Sequence, residues 1–294
     1  MFGRMACFPI RPYNYRILLP WVFSMVESLY HTIGSQMKAL ILDMDGVLWR
    51  DTQPIGDLPK IFSIIHSRGW RVVLATNNAT KSTNQYVDKL NSFGVQLKSD
   101  QIVTTASTTG HYLYARFPTG GPVYVIGEEG LLTTLEEFGF YHSEDHPLAV
   151  ISSLDRNLTY QKLKTATHLI NAGILFIGTN PDRALPTPEG LIPGAGSILA
   201  ALEKATERKA KVLGKPFPDM FQLALTRLQV LPQETLAVGD QLETDIAGAS
   251  AAGCLTALVL TGVSSREAAS FADPRPTLIE NNFSSLINKL AEWD

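Results

Sequence analysis

The chain has 294 residues, 45% of them hydrophobic and 18% charged, with a formal net charge of −3. That is enough apolar material for one large core or two modest ones, and the near-neutral balance gives no electrostatic reason to expect a nucleic acid or an anionic membrane as the main partner. The two cysteines, Cys7 and Cys254, stand far apart with no CxxC pair or His/Cys cluster, which argues against a disulfide framework or structural zinc site and for a reducing, cytoplasmic setting.

Residues 1–36 read differently from the rest. Arg4, Arg11 and Arg16 face a single acid, Glu27, and the apolar stretch 17–26 is interrupted by Pro20 and Ser24. It is too short to span a bilayer, and no small-residue cleavage site follows. The expectation is an extension outside the core or a start placed too far upstream, with a targeting peptide as the alternative; Met37 would open a compact domain directly with a strand.

From Lys38 the pattern alternates. Ala39 to Leu42 is an apolar run ending in acids. Ile61, Ile64 and Ile65 recur at helical spacing before a capping Gly69. Arg71 to Ala75 is a second strand, Ser82 to Phe93 a helix closed by Gly94, and Ile102 to Thr105 a third strand. This β–α–β–α–β order predicts a parallel sheet with helices on both faces. The alternation resumes with strands at Thr235 to Val238 and Thr256 to Leu260, and helices at Thr244 to Ala252 and Phe283 to Trp293. Between them, strands at Val123 to Ile126, Leu148 to Ile151 and Ile174 to Ile177 alternate with helices at Leu131 to Phe138 and Tyr160 to Ala172. A Pro- and Gly-rich segment, Pro181 to Gly196, closes this middle unit. The organisation predicted is a core of residues 37–119 and 195–294 with an inserted α/β cap at 120–194.

Four segments carry chemistry. Asp43 and Asp45 follow the first strand, where ligands of open parallel sheets bind. At a spacing of two they point the same way if strand geometry persists, and Gly46 permits a sharp turn. Paired carboxylates can hold a hard cation, or divide into nucleophile and proton shuttle. Thr76 and Asn77 end the second strand, where a hydroxyl and backbone N–H groups can grip phosphate oxygens. Lys215, in Gly214-Lys215-Pro216, can balance carboxylates and phosphate. Asp240 ends a later strand at the same sheet edge, and Asp245 falls in the first turn of the next helix, where an acid also suits the dipole. Acids crowded at one edge need a cation.

In this order the four segments resemble the haloacid dehalogenase-like hydrolases. Thr76-Asn77-Asn78, the placement of the cap, Asn171 to Gly173, Gly178 to Asp182 and Pro193 to Ser197 resemble subfamily IIA, the NagD-type or 4-nitrophenyl phosphatase-like branch. The resemblance covers nearly all of 37–294. It implies a Rossmann-like doubly wound core with a C2-type α/β cap, and a Mg²⁺-dependent phosphatase of small phosphorylated metabolites. By the same resemblance Asp43 is the nucleophile that forms an aspartyl-phosphate. Asp45 is the acid and base, with its backbone carbonyl on the metal. Thr76, Asn77 and Lys215 hold the phosphoryl group. Asp43, Asp45 and Asp240 bind the metal, supported by Asp245 through the outer shell or a water. Where the family often carries Val-Val-Gly before the cap Asp, this chain has Ile151-Ser152-Ser153 before Leu154-Asp155. Asp155, Arg156 and Asp182 are the candidate cap contacts, and His111, His142, His146 and His168 are assigned to structure or surface.

Three readings compete. A phosphatase fits both acids of the first motif. A dehalogenase generally lacks an acid at the position of Asp45; a phosphomutase retains it. A non-catalytic phosphate binder or scaffold would most cheaply have lost Asp43 or Asp240, and both are present. The partner expected is a small phosphorylated metabolite, with no nucleic acid, no membrane and a homodimer through the cap as the oligomer. The particular substrate is not written in the sequence.

Overall fold

The structure is a computed structural model and describes residues 19–187 and 190–292. Helix α1 (Leu19–Gln36) leads into β1 (Ala39–Leu42) and a hairpin of β2 (Trp49–Arg50) and β3 (Gln53–Pro54). There follow α2 (Leu58–Ser67), β4 (Arg71–Thr76), α3 (Thr83–Ser92), β5 (Ile102–Thr104) and α4 (Thr105–Arg116). The middle unit comprises β6 (Gly121–Ile126), α5 (Glu129–Glu137), β7 (Phe140–His142), β8 (Ala149–Ser152), α6 (Tyr160–Asn171), β9 (Leu175–Gly178), a hairpin of β10 (Ala184–Thr187) and β11 (Gly190–Pro193), α7 (Ala195–Thr206) and β12 (Lys211–Val212). The chain then returns through α8 (Asp219–Leu228), β13 (Thr235–Gly239), a π-helical turn at Leu242–Ile246, α9 (Ala247–Ala251), β14 (Leu255–Val259), α10 (Arg266–Phe271), β15 (Leu278–Glu280) and α11 (Phe283–Ala291). Arg4, Cys7, Arg11, Arg16 and Trp293 lie outside the described residues.

Local chemistry sets the boundaries of the elements that lead into the site. Asp57 caps α2 by accepting the Lys60 N–H at 3.1 Å. Ser82 and Gln85 form a reciprocal capping box at the start of α3. Gly69 and Gly94 leave α2 and α3 at φ +67 and +76, the left-handed conformation expected of a helix-closing glycine.

Six parallel strands make the main sheet in the order β15-β14-β13-β1-β4-β5. Register aligns Leu42 with Val238 on one side and with Leu74 on the other. The carboxyl ends of β1, β4 and β13 therefore emerge side by side. Leu40 and Leu42 point into a cluster with Ile61, Ile65, Leu286 and Ile287, while Ala39 and Ile41 face Phe221 and Ala224 of α8. Both faces of β1 are thus dry, which is why it reads as an unbroken apolar run. Each buried Leu, Ile or Phe among them contributes about 1.5–3 kcal/mol.

A second parallel sheet, β12-β9-β8-β6-β7, has its own two cores. Ile198, Leu199 and Leu202 of α7 pack there against Tyr124, Val150, Ile170 and Phe176, and β12 pairs with β9. Residues 195–212, expected in the main core, therefore pack with the second sheet. Their apolar face is complementary to that sheet, and the chain does not cross back until after Val212. The Pro- and Gly-rich segment contains the antiparallel hairpin of β10 and β11.

Residues 28–36 also depart from expectation. Tyr30 and Ile33 are buried in the main core cluster beside Leu286 and Leu290. The Tyr30 hydroxyl donates to Glu280 Oε1 at 2.5 Å, which also takes the Lys289 ammonium at 2.5 Å. Gly34 lies where any Cβ would strike the Leu290 carbonyl. Among the described residues no helix is long and apolar enough to cross a membrane.

Candidate active site

The parallel register delivers Asp43, Thr76 and Asp240 to one edge, each within two residues of a strand's last core position. The Asp43 N–H continues the ladder onto the Val238 carbonyl at 2.9 Å, so the residue is placed by the sheet itself. Lys215 arrives from the other direction, on the loop after β12, and is 2% exposed. Its Nζ lies 2.7 Å from Asp43 Oδ1 and 2.7 Å from Asp245 Oδ1. Asp245 sits in the π-helical turn and is held by the Gln241 N–H at 3.1 Å on its second oxygen. Gly239 admits that carboxylate, since any Cβ there would overlap it.

Asn77 positions the lysine. Its Oδ1 accepts the Lys215 N–H at 2.8 Å, and its Nδ2 donates to the Lys215 carbonyl at 3.1 Å and to the Asp182 carboxylate at 3.2 Å. The side-chain amide is thus committed to the scaffold. The Thr76 hydroxyl accepts the Asn78 N–H at 3.2 Å. Asn180 donates to the Asn77 carbonyl at 2.8 Å, tying the segment after β9 to the same strand end.

Two glycines make room for Asp240. A Cβ on Gly46, at φ +82, would lie 2.6 Å from Asp240 Oδ2, and Gly262 would collide with the same oxygen. That oxygen accepts the Val263 N–H at 2.7 Å. Thr261 donates to the Gly46 carbonyl at 2.5 Å, closing the loop after β14 over the loop after β1.

The electrostatics follow from burial. Desolvation raises Asp43 well above the usual carboxylate range; Lys215 pulls it back, while Asp245 and Asp240 push it further up. Burial also raises Asp240, to about 6, with Asp245 adding to the rise. Burial alone would lower Lys215, but the carboxylates of Asp245 and Asp43 outweigh it, and the ammonium is strongly favoured. Asp45 is raised by burial, against the opposing pull of Lys89 and the Trp49 hydrogen bond. One cation thus serves three carboxylates at one place, and a second is wanted.

Carboxylate oxygens of Asp43, Asp240 and Asp245 lie within 4.8 Å of one another. An all-oxygen, triply acidic donor set fits a hard divalent ion such as magnesium. Asp245 stands within this group, with its two oxygens engaged by the Lys215 ammonium and the Gln241 N–H. The Asp45 carboxylate lies outside it: its Oδ1 accepts the Trp49 indole N–H at 2.8 Å.

The cap candidates divide. Asp155 is buried, bonded to Lys162 Nζ at 2.6 Å and to the Asn157 N–H at 2.8 Å. Arg156 is paired with Glu128 at 2.9 Å. These contacts make a cap corner, beside a cleft of about 450 Å³. Asp182 alone reaches the core site, through Asn77. Ser153 accepts the Thr179 hydroxyl at 2.9 Å, and the Ser152 hydroxyl is buried without a partner. Of the histidines, His111 stacks edge-on against Phe138 and His142 accepts the Val125 N–H, both structural roles. Sequence reasoning missed Trp49, Asn180, Gly262 and Val263; the position of the last two, just past the carboxyl end of β14, was the available signal.

Residues 40–141 match the family described as haloacid dehalogenase-like hydrolase, and residues 212–286 one described as HAD-hydrolase-like. The chain is 35% identical over 260 residues to the D-glycerol 3-phosphate phosphatase of Mycobacterium tuberculosis, spanning 87% of this chain and 72% of that protein. The structure of the glycerol phosphate phosphatase from that organism, in complex with magnesium, superposes with a TM-score of 0.80 at 35% identity, over 86% of this chain and 77% of that one. The p-nitrophenyl phosphatase from Archaeoglobus fulgidus gives 0.81 at 30% identity, covering 86% and 98%. NagD from E. coli K-12 gives 0.78 at 32%, covering 88% and 98%. The chain belongs to the haloacid dehalogenase-like hydrolases, in their branch of NagD-type and 4-nitrophenylphosphatase-like phosphatases.

Proposed function

We propose that the protein is a magnesium-dependent phosphatase of small phosphorylated metabolites, working through an aspartyl-phosphate on Asp43. The observation that carries this reading is the buried Lys215 ammonium, 2.7 Å from both Asp43 and Asp245 at the edge where Asp240 also emerges. Phosphoryl transfer needs positioning and charge neutralisation above all. A magnesium ion held by Asp43, Asp240 and Asp245, with the Asp45 backbone carbonyl, supplies neutralisation of the phosphoryl oxygens when bound.

The chain's own residues do the rest. An Asp43 oxygen attacks phosphorus as the ester P–O bond breaks, and Asp45 gives its proton to the departing oxygen. Asp45, now a carboxylate, takes a proton from water as that water attacks phosphorus. The Asp43–phosphorus bond then breaks and the nucleophile is restored. Lys215 and the Thr76 hydroxyl steady the transferring group, and Asn77 holds Lys215 in place. The second sheet, Gly121 to Val212, acts as the cap that roofs the site and excludes water. A cytoplasmic setting and a small phosphorylated partner belong to the same reading; the mycobacterial relative's glycerol phosphate is a candidate substrate.

With magnesium, the purified protein should release phosphate from 4-nitrophenyl phosphate. Asp43→Asn should lower that rate at least about 1,000-fold with an unchanged far-ultraviolet spectrum. A rate equal to that of the unaltered protein would end the proposal.

A further inference from the structure

A proton donor in a loop must be aimed as well as protonated. Asp45 lies beyond the end of β1, where no sheet partner fixes its side chain, yet Trp49 Nε1 donates to its Oδ1 at 2.8 Å. Among the described residues this is the one hydrogen bond its carboxylate makes. The backbones of Asp45 and Trp49 also form an isolated bridge, which sets the donor at that distance.

Trp49 is fully buried although it stands on a two-residue strand. Helix α3 and its C-terminal cap hold the ring. Tyr86 stacks on it at 6.5 Å between centroids and 16° between planes, and Phe93 closes on it at 5.9 Å. The Lys89 ammonium lies 4.0 Å over the ring and donates to the Asp51 carbonyl in the hairpin turn at 2.7 Å. Ring and hairpin are thus gripped by one side chain.

An indole is a donor only. It can fix one oxygen of Asp45 without offering a lone pair to the proton meant for substrate. We propose that Trp49 is a positioning residue of the reaction: its N–H holds Asp45 Oδ1 so that the other oxygen meets the leaving group, and α3 holds Trp49. This rests on the reading of Asp45 as proton donor.

The consequence is a dependence on the leaving group. 4-Nitrophenolate departs readily without a proton, and unsubstituted phenolate does so far less readily, while the two phosphate esters are close in size. Trp49→Phe keeps an aromatic ring, smaller than the indole, and removes the N–H. It should lower kcat/KM for phenyl phosphate about tenfold and for 4-nitrophenyl phosphate less than about threefold, a part of what general acid catalysis supplies. Asp45→Asn should show the same selectivity more strongly, and adding Trp49→Phe to it should cost nothing further on phenyl phosphate. Equal losses on the two esters, or a loss that adds in full to that of Asp45→Asn, would overturn the role of Trp49. An unselective Asp45→Asn would instead overturn the proton-donor reading, and this proposal with it. Should Trp49→Phe fail to fold by thermal melting, Lys89→Met, which loosens the ring and leaves the N–H, must show the selectivity, and its absence there would equally be decisive against the role.

Discussion

At the scale of single residues the site is a charge balance. Lys215 neutralises Asp43 and Asp245 by direct contact and leaves Asp240 to be met by something else. Asp240 is accordingly raised from 3.8 to about 6 by burial and by Asp245. A carboxyl raised in the folded state favours the fold most at low pH, and that contribution is lost as pH rises through about 6. A bound divalent cation reverses the loss, because it needs the ionised form. Magnesium should therefore raise the melting temperature more at pH 7.5 than at pH 5.5, and calorimetric titration should show its affinity falling as pH drops below about 6. Equal shifts at the two pH values would mean that Asp240 takes no part in binding.

At the scale of elements, turns rather than strands decide whether the carboxylates can meet. The loop after β1 and the loop after β14 both press on Asp240, and each does so with a glycine. Gly262→Ala would push a methyl into Asp240 Oδ2, with the main chain of the loop to move instead. The expected result is a loss of magnesium affinity of at least about tenfold, the size attached to displacing an outer support of a metal site, with little change in the circular dichroism spectrum. An unaltered affinity would show that the loop yields. Helix α4 makes a related point. Its opening residues, Thr105 to Thr109, are β-branched or small, with low helix propensity, and Thr105 was expected to end the strand that begins at Ile102. They form a helix because Thr104 and Ser107 cap each other at its start, while the buried Thr108 and Thr109 hydroxyls find partners in the carbonyls of Thr104 and Thr105 at 2.9 and 2.7 Å. All of these residues are buried, and packing outweighs propensity.

For the molecule as a whole, the N-terminal helix is part of the structure it precedes. Tyr30 and Ile33 join the main core, and α1 packs on α11. Burial of two such side chains contributes about 3–6 kcal/mol before ordering entropy is subtracted. A chain beginning at Met37 should melt roughly 5 °C lower or more, by scanning calorimetry. An unchanged melting temperature would show that the helix adds nothing to the fold. Likewise α7 and β12, read as the return to the main core, complete the second sheet, so that Lys215 comes directly off that unit's edge strand. The lysine that balances Asp43 thus links the two sheets.

Much of this was legible in the residues. Apolar runs dry on both faces, such as Ala39–Leu42, can only be central parallel strands, and helix-closing glycines mark where α2 and α3 stop. Acids at the ends of such strands must share an edge, because parallel register leaves them no other place. What tertiary structure alone decided is which partner each side chain meets. Asn77 turned to the backbone of Lys215, Asp245 joined the acidic group, Asp155 and Arg156 were taken up within the cap, and Trp49 reached Asp45. These contacts include pairs 4 positions apart, Trp49 and Asp45, and 138 apart, Asn77 and Lys215, and near or far they are chosen by which polar groups burial forces together. No local pattern encodes that choice, since it depends on the whole packed neighbourhood.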